Sequence, residues 1–325
     1  MRAAVVSDGR LQIEERPLPE PTGRQVRVRV TASGVNRADL LQRAGRYPAP
    51  DGAPADIPGL EYAGVVDALG PAATGWAPGD RVMGLAGGGA HADFLVIEDD
   101  QLVAVPDGLD DVAAGSCVEV FATAHDALVT QAGLRSGECV LIHAVGSGVG
   151  TAAVQLVTAL GARAIGTTRT ASKLDAAREL GLDGGVVVSD PTDRQTSAQL
   201  AELGPIDVVL DLVGGDYVAL DCHVAAPQAR IMVVGLLAGA STDLPMGQLL
   251  RKRLTVRGTV LRARPPHEKA AVARAFEREV VPLLADGRIA PVSAETFDLS
   301  EAQDAYDRLA TNEVVGKVTL VMDDA

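Results

Sequence analysis

Two rhythms of apolar and polar residues divide the chain. Up to about residue 115, short valine-rich segments are bounded by Gly, Pro and Asp: "QVRVRVTASGV" (25–35), "EYAGVVDAL" (61–69), "DRVMGL" (80–85) and "ADFLVIED" (92–99). Runs of this kind predict strands joined by turns, and the alternation in "VRVRV" predicts one wet face. From about 116 the rhythm changes. The apolar runs "CVLIH", "ARAIGTT", "GGVVV", "IDVVLDL" and "ARIMVVG" alternate with the helical patterns "GTAAVQLVTAL", "SKLDAAREL", "RQTSAQLAEL" and "GDYVALDCHVA". Continuous apolar strands separated by helices predict a parallel sheet covered on both faces. Beyond about 262 come one helix, "HEKAAVARAFEREVVPLLADG", a mixed stretch, "VSAETFDLSEAQDAYDRLA", and a last strand, "GKVTLVMD". The expected organisation is a β domain, 1–115 completed by 262–325, with a doubly wound α/β dinucleotide-type domain, 116–261, inserted.

Composition narrows the function classes. At 47% hydrophobic residues in 325, two buried cores are expected. Aromatics are only 3% and the net charge is −14, so base stacking and phosphate attraction are both poorly served and nucleic-acid binding is disfavoured. The N-terminal stretch has no signal-type apolar run. No run of ~18 consecutive apolar residues occurs, so no membrane span is expected. Three dispersed cysteines, Cys117, Cys139 and Cys222, fit a reduced, cytoplasmic protein without a disulfide framework.

Between "CVLIH" and its following helix lie Gly146, Gly148 and Gly150. A tight glycine turn between strand and helix lets backbone N–H groups approach a pyrophosphate, here over Ser147, Gly148, Val149 and Gly150. The strict G-x-G-x-x-G spacing is not met, because Val145 and Ser147 fill the first two glycine slots. The context still favours a dinucleotide over a merely flexible connection. At the end of the second strand, where NAD-binding units place an acid for the ribose hydroxyls, "GTTRTASK" contains none before Asp175. Thr168, Arg169, Ser172 and Lys173 supply donors and positive charge instead, a set suited to the 2′-phosphate of NADPH.

"SGVNRADLLQRAGRY", "PGLEYAGVV", "GDRVMGL", "HAVGSGVGTAAVQL" and "NEVVGKVTLV" together resemble the zinc-independent quinone oxidoreductase branch of the medium-chain dehydrogenase/reductase superfamily. The resemblance covers nearly the whole chain. It implies a GroES-like β domain, a Rossmann domain, NADPH as cofactor, hydride transfer to a quinone or activated α,β-unsaturated carbonyl, and a homodimer paired through an edge strand near 254–260. It also implies roles for single residues. Asn36 matches an Asn near the nicotinamide ribose, though capping of the helix at "RADLLQ" explains it too. Tyr47 matches a Tyr at the substrate mouth able to bond or protonate the acceptor oxygen, and otherwise reads as a loop aromatic over the core. Thr123 matches a Thr close to the nicotinamide, and otherwise bonds its own helix. Gly235, Leu236 and Leu237 match backbone that meets the carboxamide, and Lys317 lies in a cofactor-contacting motif, or is simply an exposed strand residue. Asp39 supports a turn. Val188 stands near where relatives carry a Tyr beside the 2′-phosphate, so one expected contact is missing.

Zinc-dependent relatives of the same architecture use Cys, His and a further Cys as catalytic ligands. The matching positions here are Asn36, Leu60 and Glu119, and the cysteine-rich structural lobe is absent from "GLAGGGAHADF". A leucine cannot ligate and Asn is a poor zinc ligand, so no metal is expected. His91, His125 and His143 have no metal-ligand spacing and read as isolated or core histidines. Two alternatives remain open: an enoyl-thioester reductase of a biosynthetic pathway, and an NADPH-binding redox sensor without turnover.

Overall fold

The computed structural model describes residues 1–322. Two compact units divide the chain, 1–122 with 261–325, and 123–260. The first division falls inside a helix, past the expected residue 115.

In the first unit the chain forms β1 (Arg2–Ser7), β2 (Arg10–Glu15), β3 (Gln25–Val35), α1 (Arg37–Arg43), β4 (Glu61–Leu69), β5 (Arg81–Leu85), β6 (Phe94–Glu98) and β7 (Leu102–Ala104), then enters α2 (Asp111–His125). β1 and β2 make a hairpin, and β3 is the spine of a seven-stranded sheet. It pairs antiparallel with β4 along one side and β6 along the other. Val26, Val28 and Val30 point into the core while their arginine and threonine neighbours stay partly wet, as the alternation predicts.

The second unit continues with β8 (Cys139–Ile142), α3 (Gly148–Ala159), β9 (Arg163–Thr168), α4 (Ala171–Glu179), β10 (Gly184–Val187), α5 (Arg194–Glu202), β11 (Val208–Asp211), α6 (Asp216–Val224), β12 (Arg230–Val233), α7 (Met246–Lys252) and β13 (Thr255–Gly258). All six strands are parallel, in the order β10-β9-β8-β11-β12-β13. β8 is followed outward on one side by β9 and on the other by β11, so the order reverses there. Ligands of doubly wound sheets bind beyond the strand carboxyl ends at such a point. β13 is the edge strand, and all four of its residues are exposed.

The chain then returns to the first unit with α8 (Pro266–Glu279), α9 (Val281–Ala285), β14 (Ser293–Asp298), α10 (Ala302–Ala310) and β15 (Lys317–Val321). β15 runs antiparallel to the C-terminal half of β3. The α/β class and the GroES-like and Rossmann-like architecture are those expected.

One expectation needs correction. The single helix over 267–287 is two, broken at Val280. Pro282 has no N–H to continue the ladder and its ring crowds the preceding turn, so the helix ends and restarts. Asp111–Gln131, α2 with its π-helical extension, is long and apolar enough by length and composition to cross a membrane, which no uninterrupted apolar run signalled. It is mostly buried within the protein, where a core helix passes the same test.

Candidate active site

Three strand termini of the first unit bring polar side chains into its interior. Asn36 follows the end of β3, Glu61 begins β4 and Lys317 begins β15. The Lys317 ammonium donates to Asn36 Oδ1 at 2.6 Å and Val35 O at 3.1 Å, and pairs with Glu61 Oε1 at 2.7 Å. Two of its contacts are hydrogen bonds and the third is the ion pair to Glu61. Asn36 Nδ2 donates to Glu61 Oε1 at 3.0 Å and to Gly34 O at 3.2 Å. Glu61 Oε2 accepts from the backbone N–H of Glu119 in α2 at 2.8 Å. All three polar side chains are buried.

Local sequence makes room for this cluster. A Cβ on Gly34 would lie 2.3 Å from Glu61 Oε1 and 3.0 Å from Lys317 Cε, so the glycine of "SGVN" is the space through which the ion pair passes. Gly316 has φ +81°, and a Cβ there would meet Val292 O at 2.1 Å; glycine alone turns the chain into β15 at this point. Asp39 Oδ2 accepts from Asn36 N–H at 2.8 Å and Oδ1 from Gly59 N–H at 3.0 Å. Asn36 stands at the N-cap of α1, but its amide is turned to Lys317 and Glu61.

Around the cluster lie more titratable groups. His91 is buried, with Nδ1 3.0 Å from the Tyr306 hydroxyl and Nε2 facing Gly34 O. Burial holds its pKa below the ordinary histidine value. Tyr47 is half-buried; the Arg262 guanidinium stands 4.9 Å from its ring centre and donates to its carbonyl at 3.1 Å. Arg262 also donates to Gly87 O and Gln42 Oε1, and so ties the Tyr47 segment down. Burial, then the nearby Glu119, raise the Tyr47 phenol. Glu119 itself is pushed up to about 8, first by burial and then by Glu61.

The second unit shapes its glycine turn differently. Ser147 caps α3, its Oγ accepting from Gly150 N–H at 3.0 Å. Among the described residues Gly148 and Val149 N–H have no acceptor, so the helix N-terminus presents two donors. A Cβ on Gly150 would lie 2.4 Å from Ala144 O, and one on Gly146 would lie 2.7 Å from Lys173 Cδ. The stem of Lys173 thus lies over the turn. Thr168 is buried at the end of β9, while Arg169 and Ser172 are exposed. Val188 is buried in the sheet core.

Behind the turn, His143 is fully buried between Thr167 Oγ1 and Asp221 Oδ1, each at 2.7 Å. Burial opposes its charge, but Asp221 outweighs burial and raises it. Asp211 Oδ1 accepts from the N–H groups of Val213 and Gly214, ordering the turn after β11.

The structure therefore gathers Asn36 and Lys317 in one cluster and places Tyr47 beside Arg262 in the same unit. It gathers Ser147, Gly148, Val149, Gly150 and Lys173 at the turn, with Thr168, Arg169 and Ser172 following β9. Thr123, in α2, is buried and its hydroxyl has no partner among the described residues, whereas Ser116 bonds back to Val112 O. Gly235 follows β12, and Leu236 and Leu237 are exposed. Lys317 is the correction to one reading: it is not an exposed strand residue but is buried. Leu60, Asn36 and Glu119 do not form a zinc site. Leu60 is apolar core and the Asn36 oxygen already holds an ammonium. Among the described residues no group of three His, Cys, Asp or Glu stands together for a metal. Sequence reasoning missed Glu61 and Arg262. Glu61 was legible as the lone buried-type acid in "PGLEYAG"; nothing local marks Arg262.

A sheet-rich unit completed from both chain ends, with a 3-2-1-4-5-6 parallel sheet inserted, defines an oxidoreductase of the medium-chain dehydrogenase/reductase type. The alcohol dehydrogenase GroES-like domain family matches residues 22–107 and the zinc-binding dehydrogenase family matches 148–278. A quinone oxidoreductase of Pseudomonas aeruginosa is 33% identical over 309 residues, covering 93% of this chain and 92% of that protein. The pikromycin polyketide synthase component PikAII of Streptomyces venezuelae is 36% identical over 309 residues, 94% of this chain, which spans only 8% of that protein's length. The structure of mycobacterial Rv1454c complexed with NADPH superimposes with a TM-score of 0.87 at 26% identity, covering 99% of each chain. The chain belongs to the quinone oxidoreductase family of the medium-chain dehydrogenase/reductase superfamily.

Proposed function

We propose that this protein is an NADPH-dependent oxidoreductase that delivers hydride to a quinone or other activated α,β-unsaturated carbonyl without a metal. The observation that carries the reading is the Lys317 ammonium held by Asn36 and Glu61, at one of the positions where zinc-dependent relatives place ligands, beside the apolar Leu60 at another. Without a Lewis acid to activate an alcohol, the acceptor must itself stabilise the incoming charge.

The residues present fit NADPH. Gly148 and Val149 N–H groups at the start of α3 suit a pyrophosphate, and Arg169 with Lys173 suits the 2′-phosphate. Bound NADPH supplies the hydride. Thr123, in the same unit as the glycine turn, offers a free hydroxyl to the nicotinamide end. Lys317 is then a positioning residue that holds Asn36. Tyr47 orients the acceptor oxygen, braced by Arg262. The exposed edge strand β13 suits pairing with a second copy.

The 36% identity to a stretch of a polyketide synthase favours a second reading, reduction of an enoyl thioester. Steady-state assays with NADPH and matched quinones, simple enones and enoyl thioesters separate the two by their kcat/KM. Turnover is expected with quinones or enones, unchanged after chelation and with well under one zinc per chain. Activity-linked stoichiometric zinc would overturn the metal-free reading, and turnover confined to thioesters would select the second. Tight NADPH binding without turnover on any acceptor would leave only a sensor.

A further inference from the structure

We propose that Glu119 is the general acid of this protein, donating its carboxyl proton to the anion that hydride transfer leaves on the acceptor. The inference rests on the reading of the chain as a reductase of quinones or activated enones.

The cluster in the first unit contains two neighbouring carboxyls in unlike settings. Glu61 has its partners: Lys317 and Asn36 on Oε1, and the Glu119 N–H on Oε2. Glu119 has none. Neither of its carboxyl oxygens has a hydrogen-bond or ion-pair partner among the described residues, and the half-buried side chain still reaches accessible surface. Lys317, the ammonium of the cluster, is paired with Glu61. Ionising Glu119 therefore adds a second negative charge beside the first with no donor to meet it.

The charged and titratable groups facing Glu119 act in both directions. Burial is the largest influence and Glu61 the next, both favouring the protonated form; Asp39 adds to them, while Lys317 and Arg262 oppose. Tyr47 and Lys269 also feel its charge. The balance leaves the carboxyl protonated near neutrality, with a value of about 8. Two carboxyls whose surroundings drive them apart define an acid and a fixed charge. Tyr47 is the rival donor, but burial and Glu119 push its phenol above the ordinary tyrosine range, which makes it the weaker acid.

The step balances simply. Hydride adds to the β carbon, the C=C pair shifts, and the carbonyl oxygen takes the negative charge as an enolate. The Glu119 O–H bond breaks, its proton joins the enolate, and the electron pair stays on the carboxylate. Water then reprotonates Glu119, so each turnover consumes one NADPH and one solvent proton.

The test uses the intact protein and three measurements. Infrared difference spectra of the wild type titrated without cofactor should show a protonated carboxyl C=O band that disappears as pH rises through about 8 and is missing in Glu119→Gln. With the best acceptor, wild-type kcat should fall over the same window. Glu119→Gln should lower kcat by about a hundredfold and abolish that limb, with NADPH affinity unchanged by fluorescence titration. Glu119→Asp, which keeps the carboxyl, should retain the limb at reduced kcat. Wild-type kcat and an unchanged limb in Glu119→Gln would overturn the assignment, as would absence of the band. A wild type that reduces no acceptor would instead sink the reductase reading, and the proton-donor role with it, whatever the band shows.

Discussion

At the scale of single residues, the proposed preference for NADPH rests on Arg169 and Lys173, because nothing acidic stands at the end of β9 to claim a free ribose 2′-hydroxyl. Each charge-assisted bond to a phosphate contributes about 1.5–3 kcal/mol, less where solvent and salt reach it. The double variant Arg169→Ala, Lys173→Ala is expected to weaken NADPH about a hundredfold while leaving NADH nearly unchanged, read by fluorescence titration of both. Equal loss for both cofactors would contradict the phosphate assignment. Lys317 acts through a different physics. Removing its charge strands the buried Glu61, and breaking a buried pair from one side costs about 3–5 kcal/mol. Lys317→Met should therefore lower the urea midpoint well below that of an exposed control such as Arg178→Met. A neutral result would mean that Glu61 takes up a proton instead.

Among the elements, strands place the chemistry and helices cover it. Asn36, Glu61 and Lys317 sit at or just past strand ends, which is where a β sheet can present side chains without giving up its ladder. The glycine turn works the same way between β8 and α3, at the point where the strand order reverses. β13 is the element with an unmet need: an exposed edge of Thr255–Gly258 whose residues meet solvent. For the proposed pairing of two copies through β13, Val256→Asp is expected to shift the mass measured by light scattering from a dimer to a monomer. Dimers that survive the charge would place the interface elsewhere.

For the molecule as a whole, the charge arrangement predicts a pH dependence. Between the ordinary Glu value and about 8, the folded chain keeps a proton on Glu119 that the unfolded chain has released. Stability from this group is therefore complete at low pH and is lost as pH rises through that window. Urea midpoints measured from about pH 5 to about pH 9 should fall more steeply for wild type than for Glu119→Gln. Parallel curves would mean that the carboxyl finds a partner when ionised.

Periodicity and glycine placement determined much of this protein by themselves. The parallel strands, their helices, the glycine turn and the basic stretch after β9 are local patterns, because period and turn chemistry are written in neighbouring residues. The family resemblance rested on equally local motifs. Tertiary structure alone decided what Lys317 does, since its partners at 35, 36 and 61 are brought to it by strand pairing across almost the whole chain. It also decided that Asp39 accepts from the Asn36 N–H at the α1 turn, that Thr123 keeps a hydroxyl without a partner among the described residues, and that α8 stops at Val280. Glu119 shows the difference most plainly. In sequence it is one acid in an apolar helix; its proton affinity comes from desolvation and from a second carboxyl nearly sixty residues away, neither of which any local pattern encodes.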